Sequence, residues 1–387
     1  MIFIGVDIGK RVNEASFMGQ DGREVRKHMR FPNNLSGVSS FIDVLHHQGQ
    51  PCIIALEASS HYWLGMHKVV RDAGFPVVVV NPLQTTAYRS TSVRKVKNDR
   101  RDSFVIADFL RIGRIMANYV PDETILKLRE LTRFRFDLID QIGDAKRKVL
   151  ATLDRIFPEF PELFGDAFAK SARELLKNAT TAADFVSFDL SELVSILRSN
   201  SHGRLGQARA EEIKKAAQNS LGLACLGEVA LVKLHTLLAQ IEFLESQVVE
   251  VEKAIGKAME GIKEHLTDIK GIGPVLAATI FAEIGDISRF SRLESLVAYA
   301  GIDPSVFESG EFTGKRQHMS KRGSPYLRRA LWLAAHSARL WNKDLDEYLR
   351  RKLAEGKPYN VAMGALCHKL LSRIYVVLKE NRPYEVK

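Results

Sequence analysis

The spacing of hydrophobic residues changes about a third of the way along this chain. Up to residue 120, short apolar runs typical of buried strands alternate with segments of helical periodicity. Two of the runs flank the turn Asp21-Gly22 and predict a hairpin. The predicted strands are 2–7, 12–18, 24–31, 52–57 and 77–80, and the predicted helices are 35–45, 62–73 and 102–113. This order predicts a mixed α/β sheet.

From about residue 121 the apolar residues follow helical seams instead. Between 234 and 262 they repeat every seven residues with a second row between them, which is the pattern of a long coiled-coil helix. A weaker seam over 128–156 predicts a second long helix, which Pro158 and Pro161 end. The segment from there to about residue 206 is predicted to be irregular, with short helical signals. Two arrangements stay open: a helical hairpin within one chain, and a coiled coil between chains.

A third region begins at Leu266 and contains helical signals only, so no further strand is predicted. Its opening Ile-Lys-Gly-Ile-Gly is typical of a helix-hairpin-helix, in which Gly271 and Gly273 permit a tight turn whose N–H groups can hold a phosphate. A plain packing corner between helices is the alternative. We therefore predict an RNase H-like α/β domain over 1–120, a helical coiled-coil arm with an inserted segment over 121–264, and an all-α domain over 265–387.

Composition narrows the classes of partner and compartment. The chain has 56 Lys and Arg residues against 46 Asp and Glu, a net charge of +10, which favours a polyanion such as nucleic acid. Cys52, Cys225 and Cys367 lie too far apart for a metal knuckle or a disulfide framework, which fits a reducing cytosol. The N-terminus reads as a strand rather than a signal peptide, and the apolar runs look too short for a membrane helix. We expect a cytoplasmic protein with no membrane partner.

Four acidic residues lie where the predicted sheet would bring them together. Asp7 ends the first strand, Glu57 ends the fourth, and Asp99 and Asp102 are three apart and so share one helical face. Carboxylate oxygens suit Mg²⁺ or Mn²⁺, and two such ions would clamp both oxygens of a phosphoryl displacement. Each acid taken alone could instead be a solvent-exposed turn residue. Asp108 is a weaker candidate than Asp102 for the fourth acid. The four together predict a metal site for nucleic-acid chemistry.

Basic residues cluster in two places. One run surrounds Asp99, where positive charge would draw a nucleic-acid phosphate towards the acids. A second stretch follows the polar loop after Gly301. The predicted nucleic-acid contacts in these clusters, beyond the two hairpin glycines, are Arg94, Lys95, Lys97, Arg100, Arg101, Lys315, Arg316, Lys321, Arg322 and Arg328.

Several stretches together resemble a known family. GVDIGK with Asp7, ALEASSHYW with Glu57, VVNP, and VKNDRRDS with Asp99 and Asp102 are similar to the DEDD transposases of bacterial insertion sequences. In that family the N-terminal domain is similar to the RuvC resolvase and the four acids carry the metal-dependent chemistry. The resemblance resumes in the C-terminal region and leaves mainly 158–230 unmatched.

The polar loop after Gly301 contains several serines that composition alone does not distinguish. The family pattern is Gly-x-x-Pro, then Ser-Gly, then a basic segment ending in Gly-x-x-x-Leu-Arg, and the serine of Ser-Gly is the nucleophile; this implies Ser309. A serine ester with DNA would conserve the phosphodiester energy for rejoining. The rival serines of the region are Ser305, Ser320 and Ser324.

The resemblance also implies partners. It implies target and donor DNA, a guide RNA encoded by the mobile element, and a dimer or tetramer of the chain. Site-specific DNA invertases share the same motifs, so transposition and inversion both stay open. GVDIGK also resembles the phosphate loop of sugar kinases and actin-like ATPases, but we see no second Asp-x-Gly motif. A non-catalytic nucleic-acid-binding protein is the remaining alternative, and the prediction is a DNA recombinase.

Overall fold

The computed structural model describes residues 1–90, 99–305, 308–309, 312–313 and 318–385, and the side chains of these residues except 99, 308–309 and 312–313. The chain divides into two compact units, Met1–Val120 and Pro121–Lys387. The second unit contains both the predicted arm and the predicted C-terminal domain. Their division at residue 264 stays a prediction.

Five strands form the sheet of the first unit. They lie in the order β3-β2-β1-β4-β5, and β2 runs in the opposite direction to the other four strands. The strands are β1 Ile2–Ile8, β2 Val12–Met18, β3 Glu24–Pro32, β4 Cys52–Glu57 and β5 Val77–Val80. The predicted mixed sheet is confirmed, and its strand order is that of an RNase H-like domain.

Four helices cover this sheet: α1 Leu35–His46, α2 Trp63–Asp72, α3 Pro82–Ser90 and α4 Asp99–Arg111. Helix α3 was not predicted from the sequence. Its signal is the pair Asn81-Pro82, because the Asn81 carboxamide oxygen accepts a hydrogen bond from the Leu83 N–H at 2.9 Å and proline suits the first helical position. Helix α4 begins three residues earlier than predicted, so Asp99 lies in its first turn.

Two long helices begin the second unit, α5 Glu123–Ile156 and α10 Gly227–Met259. They run antiparallel, since Arg135 of α5 forms an ion pair with Glu252 of α10 while the carbonyl of Arg155 accepts from the N–H of Leu223, just before α10. Their apolar seams face each other, as in the hairpin that the sequence left open. Pairing between chains stays a prediction.

The segment between these helices contains the short helices that the sequence indicated, but they pack into a folded core, so the prediction that the segment is irregular was wrong. It forms α6 Lys170–Asn178, α7 Ala182–Ser187, α8 Leu190–Asn200 and α9 Gln207–Gln218. Phe157, Phe160 and Phe185 are fully buried among them. These helices have at most 12 residues, too few for a clear periodic signal, and their caps carry the information instead: Thr181 and Asp184 form a capping box.

The C-terminal region packs five helices around one core. They are α11 Pro274–Ile284, α12 Leu293–Ala300, α13 Pro325–Trp341, α14 Lys343–Ala354 and α15 Tyr359–Glu380. Two short strands, β6 Glu308–Ser309 and β7 Phe312–Thr313, pair between α12 and α13, so the expectation of no further strands was wrong. Two-residue strands are too short to show an alternating pattern.

The glycine turn before α11 has only one 3-10 turn, Leu266–Asp268, in front of it rather than a full helix. Gly271 has φ of +96°, and a Cβ there would lie 2.3 Å from Cα of Ala338. Packing against α13 therefore explains Gly271. Gly273 is exposed and has open space, and the predicted phosphate contact of this turn stays a prediction.

Helices α10 and α15 are long and apolar enough to cross a membrane by length and composition. Neither was expected from the sequence, because charged residues interrupt their apolar runs. Both bury one face in a protein core, through Leu234 and Ile241 in α10 and through Leu366 and Leu370 in α15. Core helices of this kind pass the same test.

Candidate active site

The alternation of side chains along the sheet decides which residues face α4. Ile4, Val6 and Leu56 lie in the core on the side of α1 and α2, whereas Ala55 packs with Ile106 of α4 on the opposite face. Residues two apart in a strand share a face, so Asp7 and Glu57 lie on the α4 face.

Gly5 fixes how closely α4 approaches this face. A Cβ on Gly5 would lie 2.2 Å from the carbonyl oxygen of Ser103 and 2.3 Å from the nitrogen of Ala107. The hydroxyls of Ser16 and Ser103 are hydrogen bonded at 2.8 Å in the same buried layer. Helix α4 thus rests directly on β1 and β2, which brings Asp102, the neighbour of Ser103, to the layer beside the sheet.

Asp7 and Glu57 are neighbours on adjacent strands. The parallel register of β1 and β4 ends at Val6 with Leu56, and the two acids occupy the next position. Neighbouring strands lie about 4.8 Å apart. Asp7 is partly exposed, while only 8% of the Glu57 surface is exposed.

Helix α3 contacts both buried acids. The Thr85 hydroxyl donates to Oε1 of Glu57, and the Ser59 hydroxyl donates to Oε2 at 3.3 Å. Four residues further along α3, Nη2 of Arg89 lies 3.1 Å from Oδ1 of Asp102, which is 6% exposed. Residues i and i+4 lie on one helical face. One face of α3 therefore brings Glu57 and Asp102 into one neighbourhood.

Part of the predicted site lies outside the described residues. Asp99 is placed by its backbone in the first turn of α4, three residues before Asp102, but its side chain lies outside them, as do Arg94, Lys95 and Lys97 entirely. Arg100 is exposed and lies 3.6 Å from Glu24. Arg101 is partly buried and contacts other groups of the protein.

Asp108 has a structural role that distinguishes it from Asp102. Its carboxylate accepts from the Tyr88 hydroxyl at 2.6 Å and from Nη2 of Arg111 at 2.6 Å. Burial and the hydrogen bond to Asp108 raise the pKa of Tyr88 to about 12. Asp108 thus ties α3 to α4 away from the sheet end.

A further carboxylate, Glu14, was missed from the sequence. It lies directly across from Asp7 in the antiparallel register of β1 and β2, where two like charges repel. His28 Nε2 lies 2.7 Å and Arg30 Nε lies 3.3 Å from the Glu14 carboxylate, so the Arg30 guanidinium can offset its charge. Its signal lay in the register of β1 against β2, which the short turn at residues 9–11 connects.

The donor set is chemically suited to a hard divalent cation, because it consists of carboxylate oxygens. Among the side chains that the structure describes, no three His, Cys, Asp or Glu residues are grouped so that they could hold a metal ion. Asp99 lies outside that set. The described side chains of Asp7, Glu57 and Asp102 do not by themselves form such a group, so a metal site of these three acids with Asp99 stays a prediction.

In the second unit, two facing segments, 301–305 and 318–323, flank the loop that carries Ser309, and we call them the stem of this loop. Gly301 and Gly323 have φ of +66° and +80°, and a Cβ on either would lie 2.0 Å from a backbone oxygen of the facing segment. The Lys321 N–H donates to the Gly301 carbonyl at 3.1 Å. Ser309 pairs with Phe312 in the short hairpin above this stem, and its side chain is outside the described residues.

The three rival serines are all engaged by the fold. The Ser305 hydroxyl donates to the His318 carbonyl at 2.7 Å, and the Ser320 hydroxyl donates to Asp303 at 2.5 Å. The Ser324 hydroxyl accepts from the Leu327 N–H as the N-cap of α13 and donates to buried Glu283 at 2.7 Å. Each of these three hydroxyls therefore has a structural role in the fold.

The basic residues near this loop differ in their surroundings. Lys321 and Arg322 are exposed on the stem, and Lys315 and Arg316 lie outside the described residues. Nη1 of Arg328 donates to the Ala300 carbonyl at 3.1 Å, and burial lowers the pKa of Arg328. Arg328 therefore supports the C-terminal end of α12, and its contact with nucleic acid stays a prediction.

Comparison with known proteins matches both ends of the chain to transposases. A family model described as a transposase, of the DEDD type of IS110, matches residues 4–158, and the model described as the transposase IS116/IS110/IS902 family matches residues 263–350. The 44.8 kDa protein of insertion element IS116 from Streptomyces clavuligerus is 26% identical, covering 98% of this chain and 95% of its own. The pilin gene-inverting protein of Moraxella bovis is 22% identical, covering 99% and 97%.

A solved complex of RuvC from T. thermophilus with a Holliday junction substrate covers 30% of this chain and 99% of the RuvC chain, with 14% identity and a TM-score of 0.25. The mixed sheet, its acids and the matched models define the class: a DNA transposase or recombinase. The chain is similar to the IS110 and IS116/IS110/IS902 transposases over residues 4–158 and 263–350. The kinase and the non-catalytic alternatives are thereby set aside.

Proposed function

We propose that this transposase cuts and rejoins DNA with a Mg²⁺- or Mn²⁺-dependent carboxylate site and a serine nucleophile. The carboxylate site comprises Asp7, Glu57, Asp99 and Asp102, and the nucleophile is Ser309. The observation that carries the metal site is the burial of Glu57 and Asp102 beside one face of α3, on the sheet face that also bears Asp7. Carboxylates so buried are retained where a cation or an ion pair compensates them.

The proposed chemistry conserves the energy of the phosphodiester. Ser309 Oγ attacks the phosphorus and loses its proton, a bond from phosphorus to one deoxyribose oxygen breaks, and that oxygen takes up a proton. Rejoining reverses the step, with a strand hydroxyl as the attacking group and Ser309 as the leaving group. A bound divalent cation would supply charge stabilisation and activation of the attacking oxygen. The structural roles of Ser305, Ser320 and Ser324 support the assignment of Ser309.

The basic residues that the sequence singles out are proposed to bind the nucleic-acid backbone. Exposed Arg100, Lys321 and Arg322 support this, because solvent-facing cations neutralise phosphates and release counterions. Target and donor DNA are the proposed partners. We further propose a guide RNA encoded by the element, an oligomer of the chain, a cytoplasmic location, and division of the second unit into arm and serine domain.

The proposed function is tested on a plasmid that carries the gene with its natural flanking DNA, so that its DNA ends and any encoded RNA are supplied together. Rearranged junctions are quantified by sequencing. We expect Asp102→Asn to reduce them at least about 100-fold, as removal of a group that stabilises transition-state charge does. Asp108→Asn, on the same helix and also paired with an arginine, should retain them.

Junctions to new sites would indicate transposition, and reversal of a flanking segment would indicate inversion, which the pilin gene-inverting relative makes the second candidate. Normal junction formation by Asp102→Asn would contradict the carboxylate site.

A further inference from the structure

We infer that Arg89 is the resident counter-ion of Asp102 and that a divalent cation competes with Arg89 for this carboxylate. The inference rests on the metal site of the proposed function. It concerns a residue that the sequence analysis did not single out.

Burial of Asp102 creates the need for a positive charge. The residue is 6% exposed, and a carboxylate removed from water is costly unless a cation or hydrogen-bond donors compensate it. Nη2 of Arg89 lies 3.1 Å from Oδ1 of Asp102. The arginine therefore supplies locally the charge that a metal ion at the same carboxylate would supply.

The geometry of the contact between Arg89 and Asp102 would allow a divalent cation to displace Arg89. In the second unit, Arg133 binds fully buried Glu283 with two hydrogen bonds, Nε to Oε1 at 2.7 Å and Nη2 to Oε2 at 3.0 Å. Arg89 approaches Asp102 through Nη2, whereas its Nε is buried without a hydrogen-bond partner among the described residues. A bidentate pair is the stronger arrangement, so the Arg89 pair is the easier of the two to displace.

The position of Arg89 also allows it to move. It lies four residues beyond Thr85 on α3, and a quarter of its side chain is exposed. The other end of the helix is held, because Thr85 donates both to Glu57 and to the Pro82 carbonyl, the latter at 3.0 Å. Thr85 of α3 thus keeps its hydrogen bond to Glu57. The Arg89 side chain can meanwhile move away from Asp102.

If Arg89 and a divalent cation compete for Asp102, removing Arg89 should strengthen metal binding. Replacing Arg89 by methionine removes the competing charge but keeps an unbranched side chain of similar length. Metal-free protein should melt at a lower temperature, because Asp102 then lacks this counter-ion. Mn²⁺ should bind about five- to tenfold more tightly, the scale of a partly exposed ion pair. Mn²⁺ should also raise the melting temperature more than in wild type.

The experiment titrates full-length protein with Mn²⁺ by calorimetry, with Mn²⁺ electron paramagnetic resonance as a second readout and without DNA. Arg111→Met is the matched control, because Arg111 pairs with Asp108 on α4 with a similar side-chain exposure. It should lower the melting temperature without changing Mn²⁺ affinity. Arg89→Lys keeps the charge and should bind Mn²⁺ like wild type.

Two different failures can be told apart. Normal, Asp102-dependent Mn²⁺ binding in wild type with unchanged or weaker binding in Arg89→Met would overturn the role of Arg89 alone. Wild-type binding that Asp102→Asn leaves intact, or the absence of binding, would overturn the proposed metal site and the inference with it.

Discussion

At the scale of single residues, the site depends on hydrogen bonds from outside the four acids. Thr85 is the clearest case, since its hydroxyl donates to buried Glu57. Thr85→Val keeps the shape and removes the donor, which leaves a buried carboxylate oxygen less well satisfied. We expect Mn²⁺ affinity to fall several-fold, as is usual when a ligand loses its supporting hydrogen bond.

Calorimetric titration measures this change, and Thr85→Ser, which retains the hydroxyl, should restore most of the affinity. Equal Mn²⁺ binding by Thr85→Val and wild type would show that Thr85 supports the fold and not the site.

The strand and helix ends that carry Asp7, Glu57 and Asp102 are visible in the sequence. Asp7 and Glu57 lie on the α4 face and Asp102 is buried beside it, within the elements expected. Arg89, by contrast, contacts Asp102 across two helices, and Glu14 meets Asp7 only through the hairpin register. Such contacts arise from packing between elements, which periodicity does not report.

At the scale of elements, the close packing of α4 on the sheet positions Asp102. Gly5→Ala would place a Cβ 2.2 Å from the Ser103 carbonyl, so the helix or the strand would have to shift. We expect a loss of about 1–3 kcal/mol in the free energy of unfolding of this unit, typical of overpacking. Denaturant unfolding followed by circular dichroism measures it.

Gly65→Ala is the matched control for this change. Gly65 lies in α2, a Cβ there would meet nothing within 4 Å, and alanine favours a helix more than glycine by up to about 1 kcal/mol. It should be neutral or stabilising. If Gly5→Ala were as stable as wild type, the close packing of α4 against β1 would be contradicted.

Elements with strong periodicity were predictable and short ones were not. The five strands of the sheet and helices α1 and α2 lie where expected. Helix α3 and the hairpin of β6 and β7 were missed, because nine residues of mixed polarity and two-residue strands carry no clear repeat. For α3 the cap Asn81-Pro82 was the available signal.

At the scale of the whole molecule, the excess of basic residues and the family match agree on nucleic acid as the partner. The net charge of +10 favoured a polyanion, and both ends of the chain match transposase models. Neither the order nor the packing of α6 to α9 could be predicted, because their core forms only when distant segments around Phe157 and Phe185 meet.

The proposed serine nucleophile requires that recombination passes through a covalent bond between Ser309 and DNA. We expect the purified protein, trapped on DNA carrying the natural ends of its element with Mg²⁺ and its co-purified RNA, to yield a nucleotide-modified peptide. Mass spectrometry should place that modification on Ser309 and find none in Ser309→Ala. An adduct mapped to Ser305, Ser320 or Ser324, or one that persists undiminished in Ser309→Ala, would contradict it.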